Sequence, residues 1–252
     1  MDQLSQHLLM SWGDYAVTPP GEYLYGPSGS QKATHTFTPG GGVTSISVCC
    51  ISAGNPQSYS ERPAGSLAWA SNYTVTPGSN YTVVVGGQGS AGGGTAPERV
   101  GSYFVSNTEV NAGTVTNGPA PYTVSPNAGT TRGGGNGGQM GPGGGGYQGG
   151  GGAAGYTGNG GRGGGSGGQG FGSNGGSVGI TVKGTSGSGG GNGQPGSGGG
   201  GGGGGGHQSQ GTGQPGSGGG YGHGGAMFGT VGNGAVRIIW PGDTRTYPDN
   251  SV

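Results

Sequence analysis

Val43-Thr44-Ser45-Ile46-Ser47-Val48-Cys49-Cys50-Ile51 sets β-branched residues among small polar ones, the pattern of a strand. It is entered from His35-Thr36-Phe37-Thr38 through the turn-forming Pro39-Gly40-Gly41-Gly42. Further along, Asn72-Tyr73-Thr74-Val75-Thr76, a Pro77-Gly78-Ser79-Asn80 turn and Tyr81-Thr82-Val83-Val84-Val85 predict a hairpin. Ser102-Tyr103-Phe104-Val105 and Glu109 to Thr116 are weaker strand candidates, and Ala235-Val236-Arg237-Ile238-Ile239-Trp240, stopped by Pro241-Gly242, is the last. Together these predict a mainly β chain, a small antiparallel β-sandwich whose final strand arrives after a long excursion. Cys49 and Cys50, the two cysteines, point to opposite faces of their strand and read as buried small hydrophobes.

Around this framework the composition is extreme. Of 252 residues 77 are glycine, charged residues make up 6% and apolar ones 27%, far from an ordinary globular enzyme. Collagen is excluded by only 16 prolines and by runs such as Gly198 to Gly206. Eight basic and eight acidic residues cancel, leaving no electrostatic footprint for nucleic acid or an anionic membrane. Residues 1–11 lack the basic start and apolar stretch of a signal peptide, and no segment has the length of a membrane span.

Four zones follow: an aromatic leader at 1–30, a β-sandwich base at 31–132, a glycine-rich excursion at 133–234, and a closing strand with tail at 235–252. The leader carries Trp12, Tyr15, Tyr23 and Tyr25, aromatics that need a surface to pack on and are candidates for attachment to another subunit. The excursion holds 56 glycines in 102 positions and no Asp or Glu.

Its glycines are phased. Every third residue from Gly143 to Gly170 is glycine, a second phase runs from Gly184 to Gly205, and a third from Gly213 to Gly225. Gly-Gln-Pro-Gly-Ser-Gly-Gly-Gly occurs at 193–200 and again at 213–220. Three residues per turn is the period of the polyproline II helix, which makes no internal hydrogen bonds. Glycine on the contact faces lets neighbouring helices pair their backbone groups, so the phase predicts an inserted glycine-rich polyproline/polyglycine II helix bundle. A single helix from Gly143 to Gly170 would be about 87 Å long, so shorter helices folded back on one another are expected.

Larger residues interrupt the glycine background. Tyr147, Gln148, Tyr156, Thr157, Arg162 and Phe171 do so in the first half, and His207, Gln208, Tyr221, His223 and Phe228 in the second. Tyrosine mixed with amides suits a recognition surface, giving rigid contact area with adaptable hydrogen bonds. Each tyrosine alone could equally cover a bundle end; as a set these residues read as a receptor-binding surface.

Thr36-Phe37-Thr38-Pro39 with Gly42 to Val48, the pair Tyr73-Thr74-Val75-Thr76-Pro77-Gly78 and Tyr81 to Gly86, and the end Gly234 to Gly242 with Arg245-Thr246-Tyr247-Pro248 resemble the glycine-rich domain of bacteriophage tail-fibre proteins. The matches frame residues 33–248, and the closing segment is the most specific. The resemblance implies a distal adhesin of the T-even-like kind, a sandwich of polyglycine II helices whose loops contact a bacterial surface protein or glycan. It also implies a virion location at a tail fibre after synthesis in the host cytoplasm, with other fibre proteins or further copies of the chain as partners. Cys49-Cys50 stands where the family more often has valine and glycine.

Catalysis fails on inventory, because the carboxylates are scattered and no histidine is placed with them. His207 and His223 are sixteen apart without an acidic or cysteine partner, so no metal and no cofactor are expected. Many Gly-x-Gly-x-x-Gly matches arise from composition alone. The rival readings are a structural subunit of a virion or extracellular fibre, an ice-binding protein, and a disordered linker. Mixed Tyr, Gln and His insertions argue against a regular ice-facing row.

Overall fold

The computed structural model describes residues 19–29, 31–54, 64–87, 101–113, 122–138, 154, 156, 159–160, 221 and 232–247. These form ten strands and no helix: β1 (Gly21–Tyr25), β2 (Ala33–Phe37), β3 (Ser45–Ile51), β4 (Leu67–Thr74), β5 (Tyr81–Val85), β6 (Tyr103–Phe104), β7 (Val110–Asn111), β8 (Thr123–Val124), β9 (Thr131–Gly135) and β10 (Ala235–Trp240). Two five-stranded antiparallel sheets, in the orders β1-β10-β3-β4-β9 and β2-β5-β6-β7-β8, pack as a sandwich. The returning strand β10 lies inside the first sheet, between β1 and β3.

Alternation builds the shared core. Ile46, Val48 and Cys50 of β3, Ala68 and Ala70 of β4, and Val236 and Ile238 of β10 face Phe37, Val83, Val85, Phe104 and Val110 of the second sheet. Aromatic rings close the layer: Phe104 stacks on Tyr81 at 5.7 Å and meets Tyr73 edge-on at 5.4 Å. Along the side where β1 and β2 face one another, Tyr23 packs on Phe37 and Trp240, and Tyr25 lies 5.2 Å from His35.

The sequence-based hairpin does not form. β4 pairs with β3 and β9, whereas β5 pairs with β2 and β6, so Pro77-Gly78-Ser79-Asn80 carries the chain from one sheet to the other. Alternating residues around a turn look the same in a hairpin and in an arch between sheets. The choice is made by Val75, whose N–H donates to the Thr44 carbonyl and whose side chain is buried between the layers. A register shift between β3 and β4, with Asn72 at φ 54°, resets the alternation so that Tyr73 turns inward beyond Ser71.

Two further boundaries move. Residues 21–25, read as part of an irregular leader, are the edge strand β1, which pairs over its whole length with β10. β9 begins in the expected base and runs to Gly135 within the expected excursion. Both edges share one device. Gly21 lies opposite Trp240 and Gly133 opposite Trp69 in the ladders, and a Cβ on either glycine would come within 2.1 Å and 2.8 Å of the indole. Glycine at the edge therefore seats a tryptophan from the neighbouring strand.

The residues after β10 tie the first sheet together. Gly242 donates to the Ser45 carbonyl and accepts from the Asn72 N–H and from Ser47 Oγ. A Cβ there would lie 2.2 Å from the Ile46 backbone. Arg245 donates to the carbonyls of Gly21 and Trp240, binding the tail to β1.

Candidate functional site

The central strands of the first sheet, β10, β3 and most of β4, are buried on both faces. Side chains pointing away from the second sheet, Cys49 and Ile51 of β3, Leu67 and Trp69 of β4, and Ala235 and Ile239 of β10, form a second apolar cluster. Its cover comes from far along the chain. Ala154 and Tyr156 of the excursion and Tyr247 of the tail are buried in it, and Tyr221 packs against it.

Backbone and side-chain bonds fix that cover. Trp69 Nε1 donates to the Tyr156 carbonyl at 2.8 Å, and the Ala154 N–H donates to the Gly65 carbonyl. Asn136, just past β9, receives the Gly160 N–H on its carbonyl and gives its own N–H to Asn159 Oδ1. Tyr247 donates its N–H to Ser71 Oγ at 2.7 Å, and its ring stacks on Tyr156 at 5.7 Å and 13°. At the other end of the excursion the Gly54 N–H donates to the Gly232 carbonyl, and Tyr221 bridges to Asn233.

Burial dictates the chemistry of this cluster. Desolvation pushes the Cys49 thiol up to about 12, against a hydrogen bond with Tyr156 that works the other way. The Cys50 thiol is likewise raised by burial. Both are therefore protonated at neutral pH and inert as nucleophiles. Desolvation also raises the Tyr156 phenol. Next to the cluster Arg237, 5% exposed, donates to Glu22 Oε2 at 2.5 Å, and Arg245 reaches the same oxygen at 3.5 Å. The hydrogen bond from Arg237 is the main cause holding the Glu22 carboxyl below its ordinary value.

The expected recognition residues distribute unevenly. Tyr156 is 1% exposed, which corrects its reading as an outward-facing residue: the outer face of the first sheet is apolar and takes the ring as its cover. Tyr221 is partly buried on the same cluster, so both described tyrosines of the excursion meet there. Tyr147, Gln148, Thr157, Arg162, Phe171, His207, Gln208, His223 and Phe228 lie outside the described residues, as do Trp12 and Tyr15 of the leader. Of the leader aromatics that are described, Tyr25 packs against the shared core, while Tyr23 is 52% exposed on β1 beside Leu24 at 49%.

Sequence reasoning missed Tyr247, Trp69, Glu22 and Arg237 as parts of one assembly. A signal was present, since a strand such as Ala235–Trp240, apolar at nearly every position, belongs to a sheet covered on both sides. Among the described residues no group of three or more His, Cys, Asp or Glu could hold a metal ion. No protein-family model, curated protein or solved structure matches the chain.

Proposed function

We propose that the chain is a host-recognition adhesin of a bacteriophage tail fibre. Its β-sandwich is the base, residues 133–234 are a polyglycine II bundle, and the side chains of that bundle which packing does not use bind a bacterial surface protein or glycan without catalysis. One observation carries the reading: the excursion leaves from β9 and returns into β10, and is held near the first sheet at Ala154, Tyr156 and Gly232 and near the second at Gly234, by backbone groups and a few rings. A carboxylate-free insertion anchored in this way keeps its amides, histidines and remaining aromatics for a partner. Tyr147, Gln148, Thr157, Arg162, Phe171, His207, Gln208, His223 and Phe228 are the residues assigned to that contact.

The purified full chain, fluorescently labelled and titrated onto envelope fractions from a panel of bacterial strains, should bind a subset saturably and block adsorption of phage that use it. A joint Tyr147→Ala and Phe228→Ala variant should bind less while keeping its circular dichroism. Absence of saturable binding to any envelope would sink the adhesin reading.

A second reading, a structural subunit of a fibre, is favoured by β1. Tyr23 and Leu24 are exposed on opposite faces of β1, a five-residue edge strand whose one charge, Glu22, is engaged by Arg237 and Arg245, and an apolar edge of this kind invites pairing. Concentration-dependent assembly in sedimentation velocity, abolished by Leu24→Lys, would favour this role; a monomer at all concentrations would exclude it.

A further inference from the structure

We propose that Tyr156 and Tyr247 form a clasp that locks the glycine-rich insertion onto an already complete sheet, making Tyr156 a positioning residue for recognition and not a receptor contact. The positioning half rests on the adhesin reading; the clasp itself does not.

Three observations converge on it. Each ring is fixed to β4 by its own backbone: the Tyr156 carbonyl accepts from Trp69 Nε1, and the Tyr247 N–H binds Ser71 Oγ two residues further along the strand. The two rings then stack in parallel over Cys49, so insertion and tail hold one another down as well as holding the sheet. The insertion also offers few other large apolar side chains for burial, since only eight of its 102 residues are Ile, Leu, Val, Phe, Met or Trp. Glycine carries no side chain to bury, so the placement of such a segment depends on its few large residues.

The vicinal cysteines provide separate reporters. Cys50 faces the core between the sheets, where its thiol lies 3.5 Å from the Val110 carbonyl, whereas Cys49 faces the clasp. Lifting the insertion off the sheet uncovers Cys49 and leaves Cys50 shut in.

The test is alkylation of the native full chain by iodoacetamide, with Cys49→Ala and Cys50→Ala backgrounds assigning the signal. Tyr156→Ala should raise the Cys49 rate by about tenfold or more through local opening while Cys50 stays within about twofold of the parent. Tyr156→Phe, which keeps the stacked ring, should leave both rates near the parent. Trp69→Phe, which removes the indole N–H and trims the bicyclic ring to a phenyl while keeping an aromatic ring on β4, should raise Cys49 by about threefold and serves if Tyr156→Ala does not fold. A Cys49 rate that never rises, or one that rises equally with Cys50, overturns the clasp.

Envelope binding measured on the same variants separates the two readings. Binding lost in Tyr156→Ala and retained in Tyr156→Phe supports positioning. Binding that survives exposure of Cys49 overturns positioning. A parent chain that binds no envelope removes the adhesin reading and the positioning role with it, while selective exposure of Cys49 would still support the clasp.

Discussion

The central strands of the first sheet and the edge strand β2 of the second make opposite use of their outer faces. In β2, Thr34 and Thr36 point to solvent between Ala33, His35 and Phe37, so the strand alternates and needs a cover on one side only. In β3 and β10, the residues behind the core are as buried as those within it, and the first sheet needs two covers. One is the second sheet, built from neighbouring stretches of chain. The other is assembled from Ala154, Tyr156, Tyr221 and Tyr247, which the excursion and the tail bring back from a distance. A sheet whose central strands are apolar on both faces thus takes a second cover, to which the described residues contribute three tyrosine rings and an alanine.

Substitutions on the two sides should separate these layers. Phe104→Ala, in the core shared by both sheets, should cost about 3–5 kcal/mol in denaturant titration. It should also expose Cys49 and Cys50 together, because both sheets depend on that core. Ile239→Ala, on the outer face of the first sheet, should cost about 2–4 kcal/mol despite lying outside the sandwich core. A loss below about 0.5 kcal/mol, the scale of an ordinary surface change, would show that this face is not a second core.

Glu22→Gln probes the ionic seam between β1 and the tail. Glu22 is half exposed, so solvent screening limits its contribution to about 1 kcal/mol or less. Because its folded carboxyl is held below the ordinary value, that stability is present above the unfolded value near 4.5 and is lost as pH falls through the folded one. The parent chain should therefore lose stability on acidification below about pH 4.5 more steeply than Glu22→Gln in thermal scans. Equal slopes would remove the seam as a source of acid sensitivity. Smallest of all, Thr36→Ala on the exposed face of β2 should change stability by less than about 0.5 kcal/mol. A larger loss would mean that the outer side of β2 too is covered, and its contrast with the central strands of the first sheet would disappear.

Much of the base was legible before any coordinates. β3, β5 and β10 were read from alternation and β-branching, and the opposite orientation of Cys49 and Cys50 is found as expected, each in its own cluster. The short pieces β6 and β7 fall within the weaker candidates. Less legible were β1, whose Gly21-Glu22-Tyr23-Leu24-Tyr25 follows two prolines, and β9, whose three glycines have no side chains to show a period. Those two strands are set by their neighbours, through Trp240 over Gly21 and Trp69 over Gly133. The position of Tyr156 was not readable, because a tyrosine among glycines has the same local pattern whether it faces a receptor or a sheet.

Local sequence determined that the segments forming β2, β3, β5 and β10 are strands, and where the chain turns. Those properties follow from side-chain shape and short-range sterics. Only the tertiary structure decided that Pro77 to Asn80 crosses between sheets, that Tyr156 faces inward, and that Glu22 meets Arg237 from 215 residues away. Such choices depend on which distant surface is left uncovered, and burial of that surface is a property of the assembled layers that no local pattern contains.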